Sequence, residues 1–435
     1  MAGVGIWLFK WLIQLVQRFM FERAGFALTN WLGHWAVMLI PVAGGLLVGG
    51  LFLLLKSKSK LFGVPEVISA VALHGGKLRL VEAPVRIIGA ILSIGSGASV
   101  GPEDPSVQIG ANFASFIGQR FNLSTDRLRS LTAAGAAAAI AAAFNAPIAG
   151  VFFALEVLLA DITGSALSLV VLSSVISSAF TRWVSGAEPS FHVPTYTIHS
   201  PWEALLYIGL GILAGLTAAA FTYLLDRTKQ ISNAAKLPQW IKPALAGLVV
   251  GTVGIWLPQL FGSGYSTIDS VLNSAPHNLW ILLILLAAKL ILTPVSLAGG
   301  FQGGVFAPTL FLGAVLGAAF GEVSNLLFPS LGLAPAAFAL VGMGAVLAAS
   351  VHAPLMAILL LFEMTNDYRI LLPLMAVVII SLAIKRRIIP ESVYTLSLAR
   401  QGIYIEHGRD VQVMAGITVG EVMATDTPRL YDYNT

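Results

Sequence analysis

The sequence predicts an all-α polytopic membrane protein built from two inverted halves of short, tilted and broken helices. Three observations carry this: a shortage of charge, an excess of helix-breaking residues, and an internal repeat. Of 435 residues, 57% are apolar and 11% charged, with a mean hydropathy of +0.85, against about 25% charged residues in soluble domains. That leaves too little polar surface to clothe a water-soluble globule, so most of the exterior must face hydrocarbon. The 43 glycines and 21 prolines let helices pack closely in lipid and break them where backbone bends around a cavity.

The third observation is the similarity of AAGAAAAIAAAFNAPIAGVFFALE (133–156) to LVGMGAVLAASVHAPLMAILLLFE (340–363). At a spacing of 207 residues the two share Gly135/Gly342, Ala146/Ala353, Pro147/Pro354 and Glu156/Glu363. Upstream in each half stands G-x-x-x-P-x-x-x-x-G-A, as GPEDPSVQIGA (101–111) and GVFAPTLFLGA (304–314). Paired segments of this kind, interrupted by Gly and Pro at corresponding positions, mark transporters whose site lies at the interface between repeats.

Residues 1–32 mix apolar residues with Lys10, Arg18, Glu22 and Arg23, which predicts a retained amphipathic helix lying at the interface. The apolar stretch from Trp35 ends at Lys56, Lys58 and Lys60, and the block 370–384 ends at Lys385, Arg386 and Arg387; the positive-inside bias makes both clusters cytoplasmic. Between them lie apolar blocks near 131–159, 165–181, 202–225, 242–260, 278–298, 304–328 and 336–364. The transport domain therefore occupies 33–400, with repeats near 35–230 and 240–400. From 401 to 435 the composition turns polar, as in the start of a second, water-soluble domain.

The absence of cysteine excludes disulfides and thiolate chemistry, and the seven histidines show no metal-binding spacing. The net charge of +4 comes without any basic run interleaved with aromatics, so nucleic acid is not a partner. No cofactor is expected. A rival reading, an intramembrane hydrolase with Ser99 as nucleophile and His352 as base, is equally met by small residues packing helices.

A helix that begins inside the membrane leaves N–H groups unpaired and carries partial positive charge there. Pro105 and Pro308 suit first turns, while Gly101, Gly303 and Gly304 allow close backbone approach. Two such ends facing each other make an anion site. Glu103 lies in the first of these segments and reads either as a tethered anion that gates the site or as a plain cap of a helix start. Glu156 and Glu363, at equivalent repeat ends, are expected to serve structure by bonding backbone. Asn145 and His352, matched before Ala-Pro, are expected to bond across helices.

The segments GSGASVGPEDPSVQIG, AAAFNAPIAGVFFALE, GGFQGGVFAPTLFLGAVLG and GMGAVLAASVHAPLMAILLLFEMTNDY resemble the CLC chloride channels and chloride/proton antiporters of prokaryotic type, over roughly 35–400. The resemblance implies a multi-pass cell-membrane homodimer with one chloride pathway per subunit and both termini cytoplasmic. It makes the tail from Gly416 the start of a truncated CBS domain, for which a nucleotide is the family's ligand. It places Glu103 on the gating glutamate, Phe306 on a residue whose backbone N–H binds the central anion, and Tyr394 on the tyrosine whose hydroxyl reaches it. The anion-binding set it implies is Phe62, Gly63, Gly101, Pro102, Asp104, Gly304, Val305, Phe306 and Tyr394.

Three departures stand out. Pro102 and Asp104 flank Glu103 where the family has a basic residue and glycine, so an extra negative group stands beside the anion entrance; a gate opening at higher pH than in relatives is the expectation. Phe62 stands where the family has an anion-coordinating serine, which leaves open the preference among chloride, fluoride and nitrate. Val157 replaces an internal glutamate of the antiporters, so uncoupled, channel-like conduction is favoured over antiport with Glu103 carrying the proton. Glu156 and Asp161 remain the ionisable candidates for a proton path beside Val157.

Overall fold

A computed structural model describes residues 1–24, 33–54, 62–80, 82–159, 164–186, 191, 203–273, 278–403, 405–406 and 410–411. The expected CBS start and Asp161 lie outside the described residues.

The described residues form a bundle of helices of very uneven length. In the first half these are α1 (Ala2–Gln17), α2 (Leu39–Leu54), α3 (Val64–Leu73), α4 (Ala83–Gly95), α5 (Glu103–Arg120), α6 (Thr125–Phe144), α7 (Pro147–Phe153), α8 (Gly164–Ser185) and α9 (Glu203–Ala234). The second half holds α10 (Lys242–Trp256), α11 (Tyr265–Asn273), α12 (Leu279–Ala298), α13 (Phe306–Leu327), α14 (Pro335–Val351), α15 (Pro354–Thr365), α16 (Leu371–Ile388) and α17 (Thr395–Ala399). A short antiparallel pairing, β1 (Ile405–Glu406) with β2 (Asp410–Val411), follows.

Among the described residues, six segments, including α9, α12 and α13, are long and apolar enough to cross a membrane. Others, such as α3, α4 and α15, are apolar but fall short of the roughly 20 residues a full crossing needs. Their ends therefore lie among other helices, and their free backbone groups must find partners in the protein.

The repeat becomes geometry at two crossings. Helices α5 and α6 meet where a Cβ on Gly110 would be driven into the carbonyl of Gly135. Helices α13 and α14 meet in the same way at Gly313 and Gly342, the counterparts of Gly110 and Gly135 in the two repeated motifs. Only glycine lets the two backbones touch here.

The apolar blocks 131–159 and 336–364 each divide into two helices. The break in the first falls at Asn145 (φ 57°) and in the second at His352 (φ 64°), both left-handed, and Pro147 and Pro354 then open α7 and α15. Asn145 Oδ1 accepts from Ser178 Oγ at 3.0 Å and from Arg182 Nε at 3.1 Å, both on α8. His352 Nε2 lies 3.1 Å from Lys385 Nζ on α16. Ser178 and Lys385 are themselves 207 residues apart, so the cross-helix partner repeats with the cap.

Helix α1 is anchored on protein along one stripe. Its stripe Gly3, Ile6, Phe9 and Ile13 is buried, packed in one cluster with Ile94 of α4, Ile109 of α5 and Ala139 of α6. This stripe is spent on protein contacts, while Val4, Trp7, Leu8, Trp11 and Leu15 on the rest of the helix stay exposed. Lys10 Nζ donates to the carbonyl of Ala143 at the end of α6.

Adding a methyl at a crossing should be costly in a way that adding one elsewhere is not. Gly313→Ala is expected to destabilise the protein by about 1–3 kcal/mol through overpacking. Gly50→Ala, where nothing lies within 4 Å of the added carbon, should leave the thermal midpoint in detergent nearly unchanged.

Candidate functional site

Gly101 and Gly304 join the two halves directly. Gly101 N–H donates to Gly304 O at 2.8 Å and Gly304 N–H to Gly101 O at 2.7 Å. Beyond each glycine a helix begins, α5 with Pro102 in the capping position and α13 with Val305. Two helix N-termini are thereby fixed against each other inside the protein, and their first-turn N–H groups, Phe306 N–H among them, have no helical carbonyl to bond.

A third N-terminus joins them. Helix α3 starts after Gly63, whose φ of 71° suits glycine and whose missing Cβ would lie 2.9 Å from Asp104 Cβ. Gln108 holds this start in place: Gly63 N–H donates to Gln108 Oε1 at 3.1 Å, and Gln108 Nε2 donates to Glu66 Oε2 at 2.7 Å. Three partial positive ends thus converge on one small volume.

Two carboxylates fill it. Glu103 is 1% exposed; its Oε1 accepts from Tyr265 Oη at 2.5 Å and its Oε2 from Ala307 N–H at 3.3 Å. Asp104 Oδ1 accepts from Tyr394 Oη at 2.9 Å, and a Cβ on Gly304 would come within 2.7 Å of the same oxygen. The structure therefore brings together Gly63, Gly101, Pro102, Glu103, Asp104, Gly304, Val305, Phe306 and Tyr394.

Phe62 plays a different part from the serine position it occupies in the sequence. Its ring carries the Arg86 guanidinium at 5.7 Å from the centroid, and the contact with Asp104 falls to Gly63. The Phe306 ring packs on Phe144 at 5.2 Å, which fixes the first turn of α13.

Glu156 and Glu363 make reciprocal caps. Glu363 accepts from Ile148 and Ala149 N–H at 3.0 and 2.8 Å, at the start of α7. Glu156 accepts from Leu355 and Met356 N–H at 3.1 and 2.8 Å, at the start of α15. Both oxygens of each carboxylate are engaged with backbone. Val157 beside Glu156 is half-buried among apolar neighbours.

Ser99 and His352 are held by different partners. Ser99 Oγ lies 3.4 Å from Thr293 Oγ1, while the His352 ring is engaged by Lys385. The nucleophile–base contact that a hydrolase requires is not made between them.

Two contributors were not foreseen from sequence. Tyr265, at the first position of α11, gives no sign of its role, because the contact with Glu103 spans 162 residues. Lys289 could have been noticed as a lone cation within the apolar block 278–298. It is fully buried, donates to the carbonyls of Leu260 and Gly262 at 3.3 and 2.9 Å, and lies 5.0 Å from the Phe311 ring centroid. It thereby pins the chain that leads into Tyr265.

Opposed helix N-termini around a buried acid, in a bundle of broken membrane helices, define a class: a multi-pass integral membrane protein whose two halves meet at paired helix starts. Residues 44–386 match the family model described as voltage gated chloride channel, and the chain belongs to that family. It is 38% identical over 373 residues to a ClcB-like protein of Ralstonia nicotianae, covering 84% of this chain and 86% of that one. It is 35% identical over 298 residues to the H(+)/Cl(-) exchange transporter ClcA of Vibrio cholerae, covering 67% of this chain and 64% of the relative. A solved slow cyanobacterial Cl-/H+ antiporter superposes with a TM-score of 0.83 at 27% identity, over 92% of this chain and 95% of that one. A CLC-type fluoride/proton antiporter shares the fold at a TM-score of 0.72 and 24% identity, over 91% and 94% of the two chains. The family is one of channels and transporters.

The paired caps lead to a matched expectation. Glu156→Ala and Glu363→Ala should each cost about 1–3 kcal/mol by leaving two helix-start N–H groups unsatisfied. Glu156→Gln, which keeps an accepting oxygen, should recover part of that loss; unfolding midpoints in detergent give the comparison.

Proposed function

We propose that the chain transports chloride across the cell membrane, through one anion pathway in each subunit of a homodimer, with Glu103 as the gate. The observation that carries this is the seat of the Glu103 carboxylate, bonded to a helix-start N–H and a tyrosine hydroxyl between two opposed helix N-termini. Backbone dipoles and hydroxyls attract an anion without the full charge of a lysine, which suits binding that must also release. While the carboxylate holds the seat, a mobile anion cannot; its displacement or neutralisation opens the path.

Uncoupled conduction is the first mode proposed. Val157 supplies no ionisable group, and both oxygens of Glu156 are committed to backbone, so an inner proton carrier is wanting at these two positions. Similarity to antiporters favours a second mode, chloride/proton exchange with Glu103 carrying the proton. Both termini are placed in the cytoplasm by this reading, and a nucleotide is the ligand proposed for a complete CBS domain.

Purified protein in liposomes tests the proposal. A chloride gradient should drive chloride movement, and Glu103→Gln should change its rate several-fold by removing the charged gate. Uphill proton movement alongside chloride would replace conduction with exchange; absence of chloride movement in both proteins would end the transport reading.

A further inference from the structure

The gate has so far been given to one carboxylate, yet the site holds two. Asp104 follows Glu103 on the first turn of α5 and is 6% exposed. An acid at that position ordinarily serves its own helix start. Here its Oδ1 instead takes the hydroxyl of Tyr394, 290 residues away in the chain, at 2.9 Å.

Around that carboxylate stand the features of an anion seat. The start of α3 reaches it at Gly63, and the start of α13 reaches it at Gly304, both with room only for glycine. The Tyr394 ring is 2% exposed, so the hydroxyl is turned inward. Among the described residues no lysine, arginine or histidine forms an ion pair with Asp104. An unpaired carboxylate is buried where three helix N-termini and one hydroxyl converge, which is where a small mobile anion would be most favoured.

We propose that Asp104 is a second tethered anion: its carboxylate holds the Tyr394 seat, and chloride reaches that seat only by displacing or neutralising it. This inference rests on the chloride-transport reading. Consecutive residues on one helix end then block consecutive seats, Glu103 at Ala307 and Tyr265, Asp104 at Tyr394. Neutralising either one alone leaves the path guarded by the other.

The charged and titratable groups facing this carboxylate are few. Glu103 is on its own helix and Tyr394 lies opposite. Lys10 of α1 and Tyr265 of α11 address Glu103, and Glu66 of α3 is engaged by Gln108. With Glu103 replaced by glutamine, the seat's remaining acid is Asp104.

Chloride flux from liposomes, measured from neutral to mildly acid pH, tests this. Glu103→Gln should keep a flux that rises about tenfold as acid neutralises the remaining competitor, because removing a like charge at contact distance in a desolvated site changes occupancy by at least that order. The double variant Glu103→Gln/Asp104→Asn should be fast and flat with pH. Chloride titrated calorimetrically into detergent-solubilised Asp104→Asn should bind about tenfold more tightly than to the wild type at neutral pH. A flat profile in Glu103→Gln alone overturns the proposal without altering Asp104, and so does unchanged chloride affinity in Asp104→Asn. Either result accompanied by normal wild-type flux leaves the transport reading standing, whereas no flux in any protein removes both.

Discussion

A helix broken inside a bundle leaves peptide groups with nothing to bond, and hydrocarbon offers them no water. Most of this structure can be understood as the satisfaction of that one requirement. At α7 and α15 the groups are met by a carboxylate borrowed from the opposite half. Where α6 and α14 end, Asn145 and His352 turn the backbone left-handed and bond to the next long helix. At α13 the carboxylate of Glu103 takes the place of water at Ala307 N–H, and beside it Asp104 accepts from the Tyr394 hydroxyl. The same unmet peptide dipoles are therefore structural at one pair of breaks and, in the proposed function, the seat of a mobile anion at the other.

The proposed gating depends on which partner can leave. The carboxylates of Glu156 and Glu363 bind with both oxygens and arrive from a different part of the chain, so moving either would disturb a second helix. Glu103 sits at the very start of its own helix, and its bonds to Tyr265 and Ala307 cap no second carboxylate-held helix of the repeat. Lys289 supports this division indirectly, because pinning Leu260 and Gly262 holds the chain that leads into Tyr265. A rigid frame around the acids at the α5 start is the arrangement the proposed gate requires.

Much of the fold was legible because each motif repeats at a fixed spacing, 203 residues for Gly101/Gly304 and 207 for Gly135/Gly342 and Glu156/Glu363, and these positions are constrained by backbone geometry. The breaks at Asn145 and His352, the starts at Pro147 and Pro354 and the meeting of Gly101 with Gly304 could be anticipated from residue type. The buried stripe of α1 could not, since apolar residues at helical spacing have the same pattern whether they face lipid or protein. Phe62 was assigned by alignment to a seat that Gly63 approaches, a one-residue difference that no propensity resolves. Tyr265 carries no local mark at all, because its role depends on a fold that brings it to a residue far away in the chain.

The exchange of glutamates between the halves has a bearing on how the chain is made. When synthesis has passed residue 159, α7 exists but the acid that completes it, Glu363, is still some two hundred residues from the peptidyl-transfer centre. The first half must wait in the membrane with an incomplete helix start until the second half arrives. Separate expression of the halves should then yield two unstable pieces rather than two small proteins, and assembly should be a late, all-at-once event in biogenesis.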